Sequence, residues 1–260
     1  MAIANITPGK AATPPTPYPV REGERTDPSG DPVRNVILRA IPDEEFALLR
    51  MHLDPVDLPQ HRILHEPGER IDYAYFVNDG MTSLVVIAHD GRSVEVGIVG
   101  REGMVGMPLI VGLRSGLFRG IQQIPGTGVR LRAEVLTEIL PVAPQFRLEL
   151  TRYSLLHGLQ VAQIAACNRL HEIEQRLARW LLMCQDRVDS PMLNLTHEFL
   201  AQMLGTGRPT VTLAAGVLEQ AGVIENLRGT VRILNRKHLE EVACECYGVI
   251  QNFNGGLGLR

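Results

Sequence analysis

The sequence predicts an α+β protein, with an N-terminal antiparallel β-roll of the jelly-roll type, a long dimerisation helix and a C-terminal winged helix-turn-helix. Three observations support this prediction. Short β-rich runs alternate with turns between about residues 56 and 136, a long stretch of helical periodicity follows them, and two short helices precede a strand pair near the C-terminus. The length of 260 residues, 45% of them hydrophobic, is enough for two ordinary domains with their own cores.

These patterns divide the chain into five segments. The first holds seven prolines and few large apolar residues, so it buries too little surface to offset the entropy lost on ordering. We expect a disordered proline-rich tail at 1–34, a β-roll domain at 35–140, a long dimerisation helix with a hinge at 141–188, a winged helix-turn-helix at 189–248 and a flexible tail at 249–260.

The β-roll is predicted from the rhythm of its turns. Asn78-Asp79-Gly80 and Asp90-Gly91 lie about ten residues apart and separate the β-rich runs YAYFV, MTSLVVIA and SVEVGIV. This spacing is typical of an antiparallel sandwich or barrel and not of alternating strands and helices.

The dimerisation helix is predicted from apolar residues at helical spacing between Glu134 and about Val188. Such a helix has more apolar surface than two small domains need to cover, so we expect a second copy of the chain to pack against it. Gly158 is the weakest point of the pattern, where a break would fall. The residues that we assign to this dimer helix are Leu156, Ile164, Leu170 and Ile173.

The C-terminal segment carries the clearest functional pattern. A Thr-capped helix beginning after Thr196 ends at Gly205, and a tight turn leads to a second helix with Pro209 in its first turn. Two short helices joined in this way are typical of a helix-turn-helix, whose second helix enters the DNA major groove by its N-terminal end. The strands that follow, joined at Arg228-Gly229, are expected to form a wing.

The start of the second helix, GRPTVTLAAG, has the chemistry of a DNA reader. Small residues allow close approach, an arginine can bond guanine or phosphate, and threonines offer hydroxyl and methyl groups. Between residues 196 and 238 there are five Lys or Arg against three acidic residues, although the whole chain has a net charge of −3. We expect double-stranded DNA to contact Thr196, His197, Thr206, Gly207, Arg208, Pro209, Thr210, Thr212, Leu213 and Arg228.

In order along the chain, these pieces resemble the Crp/Fnr family of transcription regulators. The matching stretches in the roll are YAYFVNDGMTSLVV and DGRSVEVGIVGREGMVG, and the one in the helix is NRLHEIEQRLARWLL. The predicted winged helix-turn-helix at 189–248, which we call the reader, matches through LTHEFLAQMLGTGRPTVTLAAGVLEQAGVI and RGTVRIL. The resemblance implies a roll like a cyclic-nucleotide-binding domain and a homodimer that binds a roughly palindromic site and contacts RNA polymerase. It also implies that the roll senses a signal.

Two departures from the family pattern limit what the resemblance implies. Family recognition helices often begin R-E-T-V-x-R, and here Pro209 replaces the acid and Leu213 the second arginine. The cyclic-nucleotide cassette resembling G-E-L-A is replaced by a run starting Gly106-Met107, so cyclic AMP is not expected as a ligand. For an unknown small-molecule effector the candidate residues are Gly106, Met107, Arg114 and Arg119.

No cofactor, metal site or catalytic residue is predicted. The four cysteines follow residue 166, which excludes the N-terminal iron–sulfur cluster of oxygen-sensing relatives and suits reduced thiols. Cys244 and Cys246 have too few nearby partners for zinc and are expected to pair on a C-terminal helix, while Cys167 and Cys184 are expected to be buried apolar residues. The chain shows neither a signal peptide nor a membrane span, so we expect a cytoplasmic protein without membrane partners.

Two other classes of function remain open. One is a β-roll ligand-binding or scaffold protein whose helix-turn-helix does not read DNA. The other is a cupin-like metal enzyme, for which His61, His65 and Glu66 on a predicted strand are the candidate ligands. The enzyme would leave residues 140–240 without a role, so we expect a non-enzymatic regulator.

Overall fold

A computed structural model describes residues 24–188 and 190–255 of the chain. The helices are Val36–Ala40 (α1), Asp43–Arg50 (α2), Ala133–Ile139 (α3), Pro144–Leu170 (α4), Ile173–Val188 (α5), His197–Met203 (α6), Arg208–Gln220 (α7), Arg236–Val242 (α8) and Cys246–Gly255 (α9). The strands are Asp54–Leu58 (β1), Ile63–His65 (β2), Tyr73–Val77 (β3), Met81–Ile87 (β4), Ser93–Val99 (β5), Met104–Val105 (β6), Arg119–Ile124 (β7), Gly126–Arg132 (β8), Met192–Leu193 (β9), Ile224–Leu227 (β10) and Thr230–Ile233 (β11). A 3₁₀ helix spans Met107–Val111.

The N-terminal half is the expected antiparallel β-roll, and the α+β fold is confirmed. Its two four-stranded sheets have the orders β1-β8-β3-β6 and β2-β7-β4-β5. Phe76 and Val129 lie fully buried between the sheets, and Phe146 of α4 packs its ring 6.0 Å from that of Phe76. The turns on either side of β4 contain Gly80 and Gly91 at positive φ, a conformation that glycine adopts without steric cost.

The predicted disorder over 1–34 is wrong for the described part of that segment, residues 24–34. Val33 is fully buried, and the guanidinium of Arg25 forms a 2.8 Å ion pair with Asp43 and lies 4.8 Å from the ring centroid of Phe46. These contacts anchor the segment to α1 and α2 despite its two prolines. Residues 1–23 lie outside the described part of the chain.

The long helical region differs from the prediction in where it breaks. α4 continues through Gly158, because buried side chains on both sides of the glycine, including Tyr153 and Ile164, pack it against the rest of the chain. The helix ends instead at His171, whose backbone is extended, and α5 begins two residues later. The segment 141–188 is therefore two helices and not one.

The C-terminal half shares a core with the roll. The three-stranded sheet β10-β11-β9, α6 and α7 pack on α5, and the cluster includes Met81 and Ile98 of the roll beside Trp180 and Leu218. The amide nitrogen of Gln202 donates a 2.5 Å hydrogen bond to the hydroxyl of Ser93 on β5. The orientation of α6 is thus fixed partly by the roll.

The predicted flexible tail at 249–260 is wrong as far as the structure describes it. α9 continues to Gly255, and Ile250 is fully buried. Residues 256–260 lie outside the described part. Over the described ranges, no helix has both the length and the apolarity needed to cross a membrane.

Candidate nucleic-acid interface

The helix-turn-helix forms with the capping, turn and first-turn residues that the sequence predicts. The hydroxyl of Thr196 accepts a 3.2 Å hydrogen bond from the backbone of Phe199 and so caps α6. Gly205, at a φ of +60°, turns the chain after α6. Arg208 and Pro209 occupy the first turn of α7, where the missing N–H of proline costs no helix hydrogen bond.

The N-terminal half of α7 presents the predicted contact residues to solvent. The opposite face, which includes Val211 and Ala214, is fully buried against α5 and α6. Leu213 is 73% exposed. The predicted residues exposed on this surface are Gly207, Arg208, Pro209, Thr210, Thr212 and Leu213.

Two of the predicted contacts also hold the reader together. The hydroxyl of Thr212 donates to the backbone oxygen of Arg208 at 3.0 Å and lies 3.1 Å from Nδ1 of His197. The other ring nitrogen of His197 lies 3.4 Å from the amide oxygen of Asn226 on β10. This network joins α6, α7 and the wing, so His197 and Thr212 act in part as positioning residues.

The exposed arginines of the reader differ in how they are bonded. Within the described residues, the guanidinium groups of Arg208 and Arg228 have no hydrogen-bond or ion-pair partner, and Arg228 lies at the tip of the wing. Arg232 pairs with Glu225, whereas Arg236 pairs with Asp186 of α5 at 2.7 Å. The arginines free to contact phosphate or base edges therefore lie at the start of α7 and at the wing tip.

The predicted ligand residues do not form an open cationic pocket. Arg119 forms a 2.8 Å ion pair with Glu66, and Arg114 forms an ion pair with Glu134. Gly106, at a φ of +102°, caps the 3₁₀ helix that Met107 begins. Both arginines are thus already partnered within the roll.

The candidate enzyme ligands are not brought together. His61 lies in the turn before β2, at a φ of +67°, and not on the predicted strand. Burial lowers the pKa of His65, and the carboxylate of Glu66 pairs with Arg119. Among the described residues these three do not form a metal-binding group.

The predicted dimer-helix residues do not share one surface. Ile164 is buried inside its own chain, Leu156 is half-buried, and Ile173 lies on α5 against the C-terminal core. Leu170 is 73% exposed. The assignment of Ile164 to a dimer interface is wrong, because α4 carries apolar residues on two faces and sequence spacing alone does not tell which one the chain itself covers. The face that stays open on α4 contains Leu148, Leu155, Leu159, Ala162 and Ala166.

The structure also assembles a cluster that the sequence interpretation missed. Cys244, in the loop before α9, and Cys246, the first residue of α9, meet Cys167 and His171 at the end of α4. The expected pair on one C-terminal helix and the expected lack of partners are both wrong. A hydrogen bond with Cys244 lowers the pKa of Cys167. The sequence signal was Cys-x3-His, which places two metal-binding side chains one helical turn apart, together with Cys-x-Cys. Cys184 is buried among apolar residues, as expected.

Comparisons with known proteins agree with this geometry. Residues 175–242 match the family model of the Crp-like helix-turn-helix domain, a range that contains α6, α7 and the wing. The chain is 29% identical over 187 residues to the transcriptional regulator SdrP of Thermus thermophilus, covering 68% of this chain and 86% of that protein.

Solved structures show the same fold over most of the chain. FixK2 of Bradyrhizobium japonicum superposes with a TM-score of 0.64 at 16% identity, over 74% of this chain and 98% of the other. The c-di-GMP responsive global regulator CLP of Xanthomonas campestris superposes with a TM-score of 0.62 at 17% identity, over 74% of this chain and 99% of the other.

Proposed function

The chain belongs to the Crp/Fnr family of transcription regulators, and we propose that it acts as a homodimer that reads a roughly palindromic site on double-stranded DNA. The observation that carries this proposal is the exposed start of α7, where Arg208 has no partner within the described residues and small side chains surround it. An unpaired guanidinium at the N-terminal end of a recognition helix is placed to bond a guanine edge in the major groove.

The open face of α4 supports the homodimer. Leu155, Leu159, Ala162 and Ala166 follow one another at spacings of four, three and four, which is the heptad pattern of a coiled-coil seam. Leu155 is 67% exposed, and Leu159 40%. The small residues toward the end of the stripe allow two helices to approach closely. In this proposal a two-fold axis along α4 relates the two recognition helices, which must then reach half-sites one helical turn of DNA apart, about 34 Å.

The proposed sensor does not take cyclic AMP. A cyclic nucleotide needs an acceptor for its ribose hydroxyl and a cation for its phosphate. Met107 offers no carboxylate, and the guanidinium of Arg119 is bound to Glu66. The effector that we propose is an unidentified small molecule, and the proposed partner in transcription is RNA polymerase. The reader acts on DNA, so the proposed location is the cytoplasm, and we propose no enzymatic activity or membrane partner.

The test is selection of bound sequences from a random DNA pool by the full-length protein, without added ligand and at two salt concentrations. We expect enrichment of a two-fold palindrome. Arg208→Ala should cost about 1–3 kcal/mol of discrimination at one base pair in each half-site. The matched control is Arg39→Ala, which removes the same charge from an exposed position on α1 and should leave the selected sequence unchanged.

Three outcomes would contradict parts of this proposal. An enriched site without two-fold symmetry would contradict the homodimeric reader. If Arg208→Ala lost the same amount of DNA affinity on every sequence, Arg208 would contact a phosphate and not a base. Binding that neither selects a sequence nor weakens with salt would favour the ligand-binding or scaffold protein over the DNA reader.

A further inference from the structure

The cysteine and histidine cluster lies where the end of α4 meets α9, away from the recognition helix. The sulfur atoms of Cys167, Cys244 and Cys246 and a ring nitrogen of His171 all lie within 4.8 Å of one another. The Sγ atoms of Cys167 and Cys244 are 3.4 Å apart, and Sγ of Cys246 is 3.6 Å from Nδ1 of His171. Four potential metal ligands from two distant parts of the chain thus converge on one point.

We propose that Cys167, His171, Cys244 and Cys246 bind one zinc ion in a closed tetrahedral site. Zinc–sulfur bonds of about 2.3 Å give a tetrahedron whose edges are about 3.8 Å long. The two distances above are close to that edge, and the site needs only small side-chain rotations to close around an ion. Three thiolates and one imidazole form a common donor set of structural zinc sites.

The same distances disfavour the two other uses of clustered cysteines. An iron–sulfur cluster spreads its thiolates over separate iron atoms, so the sulfurs lie farther apart than four ligands of one ion. A disulfide has its two sulfurs about 2.05 Å apart, whereas the thiols of Cys167 and Cys244 are free at 3.4 Å. A disulfide between this pair would also leave His171 and Cys246 without a role in the cluster.

The surroundings of the cluster match those of a structural site. Cys167, Cys244 and Cys246 are at most 3% exposed and form a small buried cluster of their own between the larger cores. Nε2 of His171 lies 3.0 Å from the carboxylate of Glu245. A carboxylate on the second ring nitrogen orients a metal-binding histidine and fixes its tautomer, which leaves Nδ1 free to bind the ion.

A buried cation near the cluster forms no ion pair with any described residue. Arg179 of α5 is 2% exposed, and among the described residues no carboxylate lies within ion-pair distance of it. Its guanidinium donates to the sulfur of Met183 at 3.1 Å, while its Nε has no partner. Three thiolates around a divalent ion leave one formal negative charge. The zinc site would therefore add negative charge near this buried guanidinium.

The proposed ion would join the end of α4 to the helix that follows the winged domain. Cys167 lies on the last turn of α4 and His171 is the residue that ends it, whereas Cys244 and Cys246 lie at the start of α9. α9 also anchors to α5, since the hydroxyl of Tyr247 bonds Asp186 at 3.1 Å. Loss of the ion would release one of the links that fix the reader relative to α4.

The test is metal analysis of the full-length protein purified under reducing conditions, followed by chelation and titration with Co²⁺. We expect about one zinc ion per chain as purified. We also expect Co²⁺ to give the thiolate-to-cobalt charge-transfer bands and intense visible bands of a tetrahedral sulfur-rich site, which zinc then displaces. Wild-type protein with no bound metal and no such spectrum would overturn the proposal. Iron with acid-labile sulfide would also overturn it, as would a disulfide between Cys167 and Cys244.

Substitutions at the proposed ligands and at Glu245 test where the zinc ion binds. Cys244→Ser and Cys246→Ser should each lose the bound zinc, and Glu245→Gln should weaken it about 10-fold or more. The matched control is Cys184→Ala, which removes a buried cysteine outside the cluster and should retain the full zinc content. Unchanged zinc in both serine variants would overturn the assignment. The wild-type Co²⁺ spectrum decides the proposal even where a variant fails to fold, and none of these measurements depends on DNA binding.

Discussion

The indole nitrogen of Trp180 donates a 2.6 Å hydrogen bond to the buried carboxyl group of Glu95, and this bond joins α5 to strand β5 of the roll. The other carboxyl oxygen of Glu95 accepts a 2.5 Å hydrogen bond from the hydroxyl of Ser83. Burial raises the pKa of Glu95 to about 7, in spite of these two hydrogen bonds. The contact between the roll and α5 therefore contains a group that changes charge near neutral pH.

This raised pKa makes stability depend on pH. The folded protein holds the Glu95 proton up to about pH 7, whereas the unfolded chain releases it near the ordinary value of 4.5. The contribution of Glu95 is therefore fully present below about pH 4.5 and is lost as pH rises through 7. Glu95→Gln keeps the shape of the side chain, and its amide oxygen can accept from Trp180 while its amide nitrogen donates to the hydroxyl of Ser83. We expect this variant to make the free energy of unfolding less dependent on pH over this range.

The measurement is urea denaturation at several pH values between 4.5 and 8, with the wild type compared with Glu95→Gln. Glu44→Gln, at an exposed position on α2, is the matched control and should keep the wild-type pH profile. A wild-type slope that persists in Glu95→Gln would assign the pH dependence to other groups.

A second buried bond joins α5 to the turn between β5 and β6. Nε of Arg187 on α5 lies 2.8 Å from the carboxylate of Glu102, and both side chains are only 2% exposed. Removing one partner leaves the other charge buried and unpaired, which typically costs about 3–5 kcal/mol. We expect Glu102→Ala to show a loss of this size in denaturant unfolding.

The control for this pair is the double variant Glu102→Leu with Arg187→Met. It removes both charges and fills the space with apolar groups, so it should be clearly more stable than Glu102→Ala. A double variant as unstable as the single one would mean that packing, and not an unpaired charge, explains the loss.

The reader could be predicted from sequence because its signals are local. The cap at Thr196, the turn at Gly205 and the first turn of α7 each depend on a few neighbouring residues, and all three are found as predicted. The turns of the β-roll are local in the same sense. Which of the exposed residues touch DNA stays a prediction.

The features that the sequence did not reveal depend on contacts between residues far apart in the chain. Cys167 and Cys244 are 77 positions apart, so no local pattern shows that they meet. Val33 is buried by distant parts of the roll, which proline content does not reveal. The open face of α4 could be identified only once the folded chain was seen to cover Ile164 and leave Leu155 exposed.

The open face of α4 gives a third prediction. Aspartates at 155 and 159 would place like charges in the seam between two helices, where they are desolvated and repel each other. We expect the double variant Leu155→Asp and Leu159→Asp to be monomeric by sedimentation equilibrium at concentrations where the wild type is dimeric. Met51→Asp, which changes another exposed apolar residue beyond α2, should remain dimeric. A double variant that stays dimeric would place the interface elsewhere.

The two threonines of α7 are expected to have different roles, because Thr212 positions its neighbours and Thr210 contacts DNA. The hydroxyl of Thr212 bonds the backbone of Arg208 and lies beside His197, whereas Thr210 is exposed and its hydroxyl has no partner among the described residues. We expect Thr212→Val to lower the free energy of unfolding by about 1 kcal/mol. Thr210→Val should leave unfolding unchanged and weaken DNA binding.

The check is to measure denaturant unfolding and DNA affinity for both variants on the selected site at one salt concentration. Because valine keeps the shape of threonine and removes only the hydroxyl, each variant isolates the role of one hydrogen-bonding group. If Thr210→Val bound DNA as well as the wild type, its hydroxyl would not touch DNA, and the proposed contact surface would shrink to Arg208 and its apolar neighbours. If Thr212→Val weakened DNA binding without affecting unfolding, its hydroxyl would leave the network with His197 to contact DNA directly.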